Sequence, residues 1–481
     1  MIELIDLKDN KLKNINEGLQ EVLRAREERV VNQKRLIKKY NLPLLSITLN
    51  IPGPEKDNAK IRKIYYECLK AVGKELSKKE NAKIIYQKEY FSADGPESFL
   101  IIEGLPVKEL KRTAVKIEDN HFLGRLFDID VLNEEYYKIS RQDVGMTLRK
   151  CIICNDLAIN CITSRRHKRE EIIEKVNKIV DDFSAQSFNY WVDKIGGIAL
   201  KSILLELNCT PKPGLVDRFN NGANQDMDFT TFISSTAAIA YGIYQFVQLG
   251  IDYTGEIEEM FPHLRKIGIG MERNMFEDTG GINTQKGLIF LEGLVCTAAG
   301  SLIKEDKKLS PEHICQKIKK ICKGIVDKEL EVLRSSSLEK KLTNGERLFL
   351  KYGISGIRGE AERGFPTVRE KGLPALRAGL KDGLSFNDAS VQSLISIMTN
   401  AEDTNVIIRS NLDFLHKEVQ ARAKEIIELG GMYTLKGRRK INTLDRYLIK
   451  KGVNPGGSAD LLAITITLYY FSLLSVPQIL K

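Results

Sequence analysis

The chain is 481 residues long, 42% apolar and 29% charged, with a formal net charge of +10 and a pI near 8.9. That length exceeds one ordinary core and predicts two or three domains, and the balance excludes disorder for most of it. The basic excess suits polyanions such as nucleotides, coenzyme A derivatives, nucleic acid or an acidic carrier protein, although 18 Phe, 16 Tyr and 1 Trp without a glycine-aromatic motif place RNA binding second.

The opening residues MIELIDLKDNKLK are charged from the third position and lack the apolar run of a signal peptide, so a cytosolic protein with reduced cysteines is expected. Residues 17–40 read as a charged amphipathic helix, LPLLSITLNI (42–51) as a strand and Ala59–Leu76 as a helix, with further strands at 82–91, 98–104, 112–119 and 125–132. This half reads as α+β and nucleotidyltransferase-like. The loop from Asn50 to Lys56 joins a strand to a helix, where Lys56 and backbone N–H groups meet phosphate, unless it is a plain Pro-Gly turn.

In GRLFDIDV (124–131) alternation places Asp128 and Asp130 on one strand face, able to share Mg²⁺, with Arg125 as a phosphate partner. A solvated strand face gives the same pattern. Cys151, Cys154, Cys161 and His167 have zinc-ligand spacing, while Ile152 and Ile153 between the first pair suit a buried segment with inert thiols.

The charged helix 167–183 ends the first domain, giving domains 1–182 and 183–481. Beyond it, helical patterns at 192–208, 229–249, 286–299, 311–333, 388–399, 411–429 and 458–474 predict an all-α domain. The apolar run Leu461–Leu474 is about 14 residues, short of the roughly 20 that span a bilayer, so no membrane is expected. Unusual residues gather in the loops. TPKPGLVDRFNNGANQDMD (210–228) holds Lys212 and Arg218 for phosphate, Asp217 and Asp226 for Mg²⁺ or proton transfer, and Asp228 as a helix cap. EDTGGINTQKG adds Lys286, residues 344–369 add Arg358, Glu360 and Glu362, AEDTNVIIRS adds Asp403, and NPGGSADLL reads as a glycine turn before a helix capped by Ser458.

Two resemblances follow from these motifs. GRLFDIDV, PGPEKD, SADGPESF and RKCIIC…AINC…RRH resemble the apo-citrate lyase phosphoribosyl-dephospho-CoA transferase family, also called holo-citrate lyase synthase, over about residues 20–180. TPKPGLVDRFNNGA, GGINTQKGLIF, RGEAERGFP, EDTNVIIR and NPGGSADLL resemble, in order, the triphosphoribosyl-dephospho-CoA synthase family over residues 190–475. The resemblances imply that the second half joins ATP to 3′-dephospho-CoA with loss of adenine, and that the first half transfers the product to a serine of the acyl carrier (gamma) subunit of citrate lyase, releasing pyrophosphate. Under them Asp217, Asp226 and Asp403 serve as metal ligands or bases, Lys212, Arg218, Lys286 and Arg358 hold the triphosphate, and Glu360 and Glu362 stabilise the ribosyl cation. The second pattern expects histidine where this chain has Asn224 and Gln285, which leaves open a carrier-binding assembly factor with a weakened second domain. A basic nucleic-acid-binding protein is the remaining alternative.

Overall fold

A computed structural model describes residues 3–327 and 342–474, with side chains from Gly18 onward except Leu19 and Asn344. It separates into two compact units, Met1–Ser187 and Phe188–Gln478.

The first unit is built on a four-stranded antiparallel sheet in the order β2-β3-β1-β4, comprising β1 (Leu44–Leu49), β2 (Lys83–Ser92), β3 (Gly95–Glu103) and β4 (Phe127–Leu132). Period-two alternation sorts its side chains. On one face Leu45, Ile47, Leu100, Ile129 and Val131 form a core with Ile64, Tyr65, Cys68 and Val72 of α2 (Ala59–Leu76) and with Leu110, Ala114 and Ile117 of α3 (Val107–Asn120). On the other face Leu36 and Ile37 of α1 (Glu3–Tyr40) pack on Leu44, Phe99, Ile101 and Leu132. The hairpin SADGPESF is tied to α1, where Arg26 and Arg29 hold Asp94 at 3.0 and 2.9 Å and Arg29 also pairs with Glu97.

The strand expected at 112–119 is instead part of α3. Its alternating VKIE stretch hid a helical spacing: Leu110, Ala114 and Ile117 share the buried stripe. The helix then uses polar side chains to finish the edge strand, since Lys111 Nζ donates to Ile129 O at 3.2 Å and Ile129 N donates to Glu118 Oε1 at 2.9 Å. An edge strand otherwise leaves these backbone groups open.

The second unit contains no strand among its described residues. Its core runs through α6 (Phe229–Asp252), α7 (Phe261–Asp278), α8 (Lys286–Lys304) and α9 (Pro311–Ile321), with the helices Phe386–Met398 and Gly456–Ser472. The expected helix 311–333 stops at Ile321, and its continuation past residue 327 lies outside the described residues. Helices at Phe261–Asp278, Asn344–Tyr352, Leu373–Lys381 and Leu435–Lys451 add to those anticipated. Lys286–Lys304 is long and apolar enough to cross a membrane, but 83% of its apolar window is buried inside the protein. The charged helix and the next apolar one form a single α5 (Arg169–Asn208).

Candidate functional site

The β4 register pairs Thr48 with Asp128 and Ser46 with Asp130, so both aspartates stand on the α1 face of the sheet while Phe127, Ile129 and Val131 point into the core. Lys138 Nζ lies 2.5 Å from Asp130 Oδ2, and Arg149 lies 3.5 Å from Asp128 Oδ1 while also bonding Glu118 and, at 2.8 Å, Phe127 O. Burial, with the charge of Asp128 added, raises the Asp130 carboxyl above its ordinary range. Two crowded carboxylates with a neighbouring hydroxyl suit a hard divalent cation, which relieves their repulsion. Arg125 sits half-buried in the turn before β4, and burial together with Arg149 and Arg141 disfavours its charge. Lys56 is turned onto its own loop, donating to Ile51 O at 2.5 Å. Lys138, Arg149 and Thr48 had no sequence signal, because only the sheet register and the chain after β4 bring them to the aspartates. Cys151, Cys154, Cys161 and His167 come together, their ligand atoms all within 4.8 Å of one another.

In the second unit the loop 210–228 is held by its own polar groups. Asp217, 2% exposed, accepts from the backbone N–H groups of Lys212 (3.2 Å), Phe219 (2.7 Å) and Asn220 (3.1 Å). Gly214 takes φ +74°, donates to Asp445 Oδ1 at 2.9 Å, and has no room for a side chain, since a Cβ would stand 2.7 Å from Val453 O. Asn387 brackets Thr210 by accepting from its N at 2.9 Å and donating to its O at 2.7 Å. This frame aims Lys212 inward to pair with Glu206 at 2.7 Å, both buried.

That pair lies in a cleft of about 640 Å³, within the range of roughly 300–1,000 Å³ typical of small-molecule sites. Its charged lining is Lys212, Arg265, Lys286, Arg358 and Arg409 against Glu206, Glu272 and Asp460, so cations outnumber carboxylates as a polyphosphate requires. The first turns of α8 (Lys286, Gly287) and of the helix Gly456–Ser472 (Gly456, Gly457) also face it, adding the positive ends of two helix dipoles. Lys286 reaches Glu272 at 2.7 Å. Asp460 stands against Gly287, and burial drives its carboxyl well above the usual range, with the charges of Glu206 and Asp403 adding to the push and Lys212 opposing it.

Lys212, Lys286 and Arg358 are thus brought together, and Asn224 and Gln285 line the same cleft. Asn224 Oδ1 accepts from Asn454 Nδ2 at 2.7 Å and Arg409 Nη2 at 3.3 Å, while Gln285 Nε2 donates to Thr236 Oγ1 at 2.9 Å. Other sequence-selected residues lie outside the lining. Arg218 is exposed and bonds Thr210 Oγ1 at 3.2 Å, and Asp226 and Glu362 do not line this cleft. Asp228 caps α6 in a capping box with Thr231. Glu360 accepts from Thr367 N at 2.7 Å, and burial raises its carboxyl. Asp403 caps the helix Thr404–Arg409 and accepts from Ser458 N at 2.7 Å and Ser458 Oγ at 2.9 Å; burial raises its carboxyl too. Ser458 therefore does not cap its own helix, which begins two residues earlier at Gly456. Sequence reasoning passed over Glu206 and Asp460, each a lone acid in an apolar helical run, the one signal that marks a buried charge needing a partner.

Comparison with known proteins finds two family matches along the chain. Residues 192–477 match the family model described as ATP:dephospho-CoA triphosphoribosyl transferase, and residues 17–183 match that of apo-citrate lyase phosphoribosyl-dephospho-CoA transferase. Protein CitXG of Leuconostoc mesenteroides subsp. cremoris is 33% identical over 461 residues, 94% of this chain and 96% of the relative. Protein CitXG of Haemophilus influenzae is 32% identical over 462 residues, 93% of this chain and 95% of the relative. A probable 2-(5''-triphosphoribosyl)-3'-dephosphocoenzyme-A synthase of Vibrio cholerae is 41% identical over 276 residues, 57% of this chain and 87% of the relative. The chain is a transferase that belongs to the ATP:dephospho-CoA triphosphoribosyl transferase family, carries ahead of that part a domain of the apo-citrate lyase phosphoribosyl-dephospho-CoA transferase family, and matches the CitXG proteins along nearly their whole length.

Proposed function

We propose that the chain makes and attaches the citrate lyase prosthetic group in two consecutive steps, synthesis in residues 183–481 and attachment in residues 1–182. The observation that carries the reading is the cation-rich cleft with two helix N-termini and the Glu206, Lys212 and Asp460 group at its wall. Lys212, Lys286 and Arg358 hold the triphosphate of ATP. The bond from ribose C1′ to adenine N9 breaks as C1′ bonds to the 2′-oxygen of 3′-dephospho-CoA. Asp460, whose carboxyl is held above the usual range by burial, gives a proton to the departing adenine, and Glu206 takes the proton of the attacking hydroxyl, so adenine leaves neutral. Asp217, Asp403 and Glu360 shape the walls through the backbone bonds described above.

In the first unit, nucleotidyltransferase-like in its chemistry, Asp128 and Asp130 would hold Mg²⁺. Bound there, Mg²⁺ supplies charge neutralisation on the triphosphate. The carrier serine attacks the α-phosphorus, its proton leaves to solvent or base, and pyrophosphate departs past Arg125, Lys138 and Arg149. ATP and dephospho-CoA as substrates, with the acyl carrier subunit as partner, support a cytoplasmic reaction.

The Asp460 assignment is tested with two donors. Asp460→Asn should slow adenine release from ATP by about 10²–10⁴-fold, the usual worth of a general acid. A ribosyl triphosphate bearing nicotinamide has a leaving group that departs neutral without a proton, and the variant should use it within a few-fold of wild type. Equal losses on both donors would remove Asp460 as the acid, and no adenine release by the wild-type chain would overturn the reading itself.

A further inference from the structure

We infer that Cys151, Cys154, Cys161 and His167 form a closed, structural zinc site in the first unit. Cys154 Sγ lies 3.4 Å from Cys161 Sγ and 3.3 Å from His167 Nε2, and all four ligand atoms lie within 4.8 Å of one another. Tetrahedral Zn²⁺ with Zn–S near 2.3 Å holds sulfurs about 3.8 Å apart, so the tetrad already has binding dimensions. Three thiolates and one imidazole fill all four positions and leave none for substrate, which makes the site structural.

The local fold builds the tetrad. Cys151 N donates to Asp156 O at 2.5 Å and Ala158 N donates to Arg149 O at 2.9 Å, closing a turn in which Asn155 takes φ +61°. The short helix α4 (Ala158–Thr163) then returns Cys161 to the first pair, and His167 follows just before α5. Surrounding groups are those a zinc site needs. Ile153 N donates to Cys151 Sγ at 3.4 Å, and His167 Nδ1 faces Glu171 Oε2 at 3.9 Å, the carboxylate placement that leaves Nε2 for the metal.

Burial gives an independent reason. Within residues 150–167 the only buried side chains are Cys151 and Cys161, while Ile159 and Ile162 are 58% and 71% exposed. This segment meets the α2–α3 core only through Ile152 and has no apolar core of its own, so a metal joining the buried Cys151 and Cys161 to the exposed Cys154 and half-buried His167 would staple it, as in small folds held by metal. The staple begins two residues after Arg149, whose guanidinium holds Glu118 and Phe127 O beside Asp128. Zinc at the tetrad therefore makes Arg149 a positioned residue at the edge of the aspartate face.

The full chain, purified reduced and without chelator, should contain about one Zn²⁺ by elemental analysis, released when a mercurial titrates its thiols. Co²⁺ loading should give the intense absorption of a tetrahedral thiolate site, a readout independent of any variant's folding. Cys154→Ser and His167→Ala should each lose most of the metal, whereas Cys68→Ser, buried in the α2 core and not one of the four ligands, should keep it. A metal-free wild-type chain that takes up neither ion under reducing conditions, or a Cys154–Cys161 disulfide found in the reduced preparation, would overturn the site.

Discussion

Gly287 offers a sharp test of the cleft, because its missing side chain is what lets Asp460 stand where it does. A Cβ at residue 287 would lie 2.2 Å from Asp460 Oδ2 and 3.3 Å from its Cγ, whereas ordinary contact begins at 3.4 Å. Gly287→Ala therefore pushes the carboxyl back by roughly 1 Å, a misplacement that costs a catalytic group about 10²-fold, or ~2.7 kcal/mol of transition-state stabilisation. Fold stability should move the other way. Gly287 lies in the first turn of α8 without a positive φ, its next neighbour Ile357 is at a comfortable 3.8 Å, and alanine is worth up to about 1 kcal/mol over glycine in a helix. The assay is adenine release at saturating dephospho-CoA, with thermal unfolding on the same sample. The expected result is kcat down about a hundredfold with Tm unchanged or raised. Wild-type turnover, or a loss of activity that tracks a fall in Tm, would refute the reasoning.

Asp128→Asn and Asp130→Asn should each remove attachment of the prosthetic group to the apo-carrier while leaving adenine release at the wild-type rate; attachment surviving both changes would end the metal assignment. Glu292 is fully buried on α8, where burial pushes its carboxyl up to about 8 against the short contact of 2.5 Å from Thr467 Oγ1. The unfolded chain ionises this group from about pH 4.5 and the folded chain only near pH 8, so stability falls as pH rises through that window and levels off above it. Glu292→Gln should flatten that slope and raise Tm more at pH 8 than at pH 5; an unchanged slope in denaturation measurements would contradict the burial argument. Asn224 is hydrogen-bonded through both ends of its amide, whereas Gln285 is bonded through Nε2 and leaves its buried Oε1 without a hydrogen-bond partner. Neither side chain moves a proton in the proposed step, so Asn224→His with Gln285→His should leave adenine release within a few-fold. A gain of about tenfold or more would mean that a titratable group is missing there.

Much of the first unit could be read from its residues. Strand alternation placed Asp128 and Asp130 on one face, and the register with Thr48 and Ser46 reproduces that placement. The helix Ala59–Leu76 and the Asp228 cap follow from local periodicity and capping chemistry. Helix α3 did not, because four alternating residues resemble a strand when the stripe formed by Leu110, Ala114 and Ile117 extends beyond them. In the second unit the acid-rich loops were visible, but the use of each carboxylate depends on distant chain. Asp217 and Asp403 spend their oxygens on backbone N–H groups, while Glu206 and Asp460, about 250 residues apart in sequence, meet only when α5 and the helix Gly456–Ser472 are packed. Residue type alone cannot separate a capping aspartate from a cleft aspartate.

The central claim, that one chain performs both steps in order, is tested most directly by a coupled reaction. The chain is incubated with Mg²⁺, ATP and 3′-dephospho-CoA, adenine is quantified, and apo acyl carrier subunit is then added and weighed by mass spectrometry. The account predicts stoichiometric adenine followed by a carrier mass increase equal to the phosphoribosyl-dephospho-CoA group, with pyrophosphate released in the second stage. Adenine release with an unchanged carrier, or a modified carrier without adenine release, would contradict it.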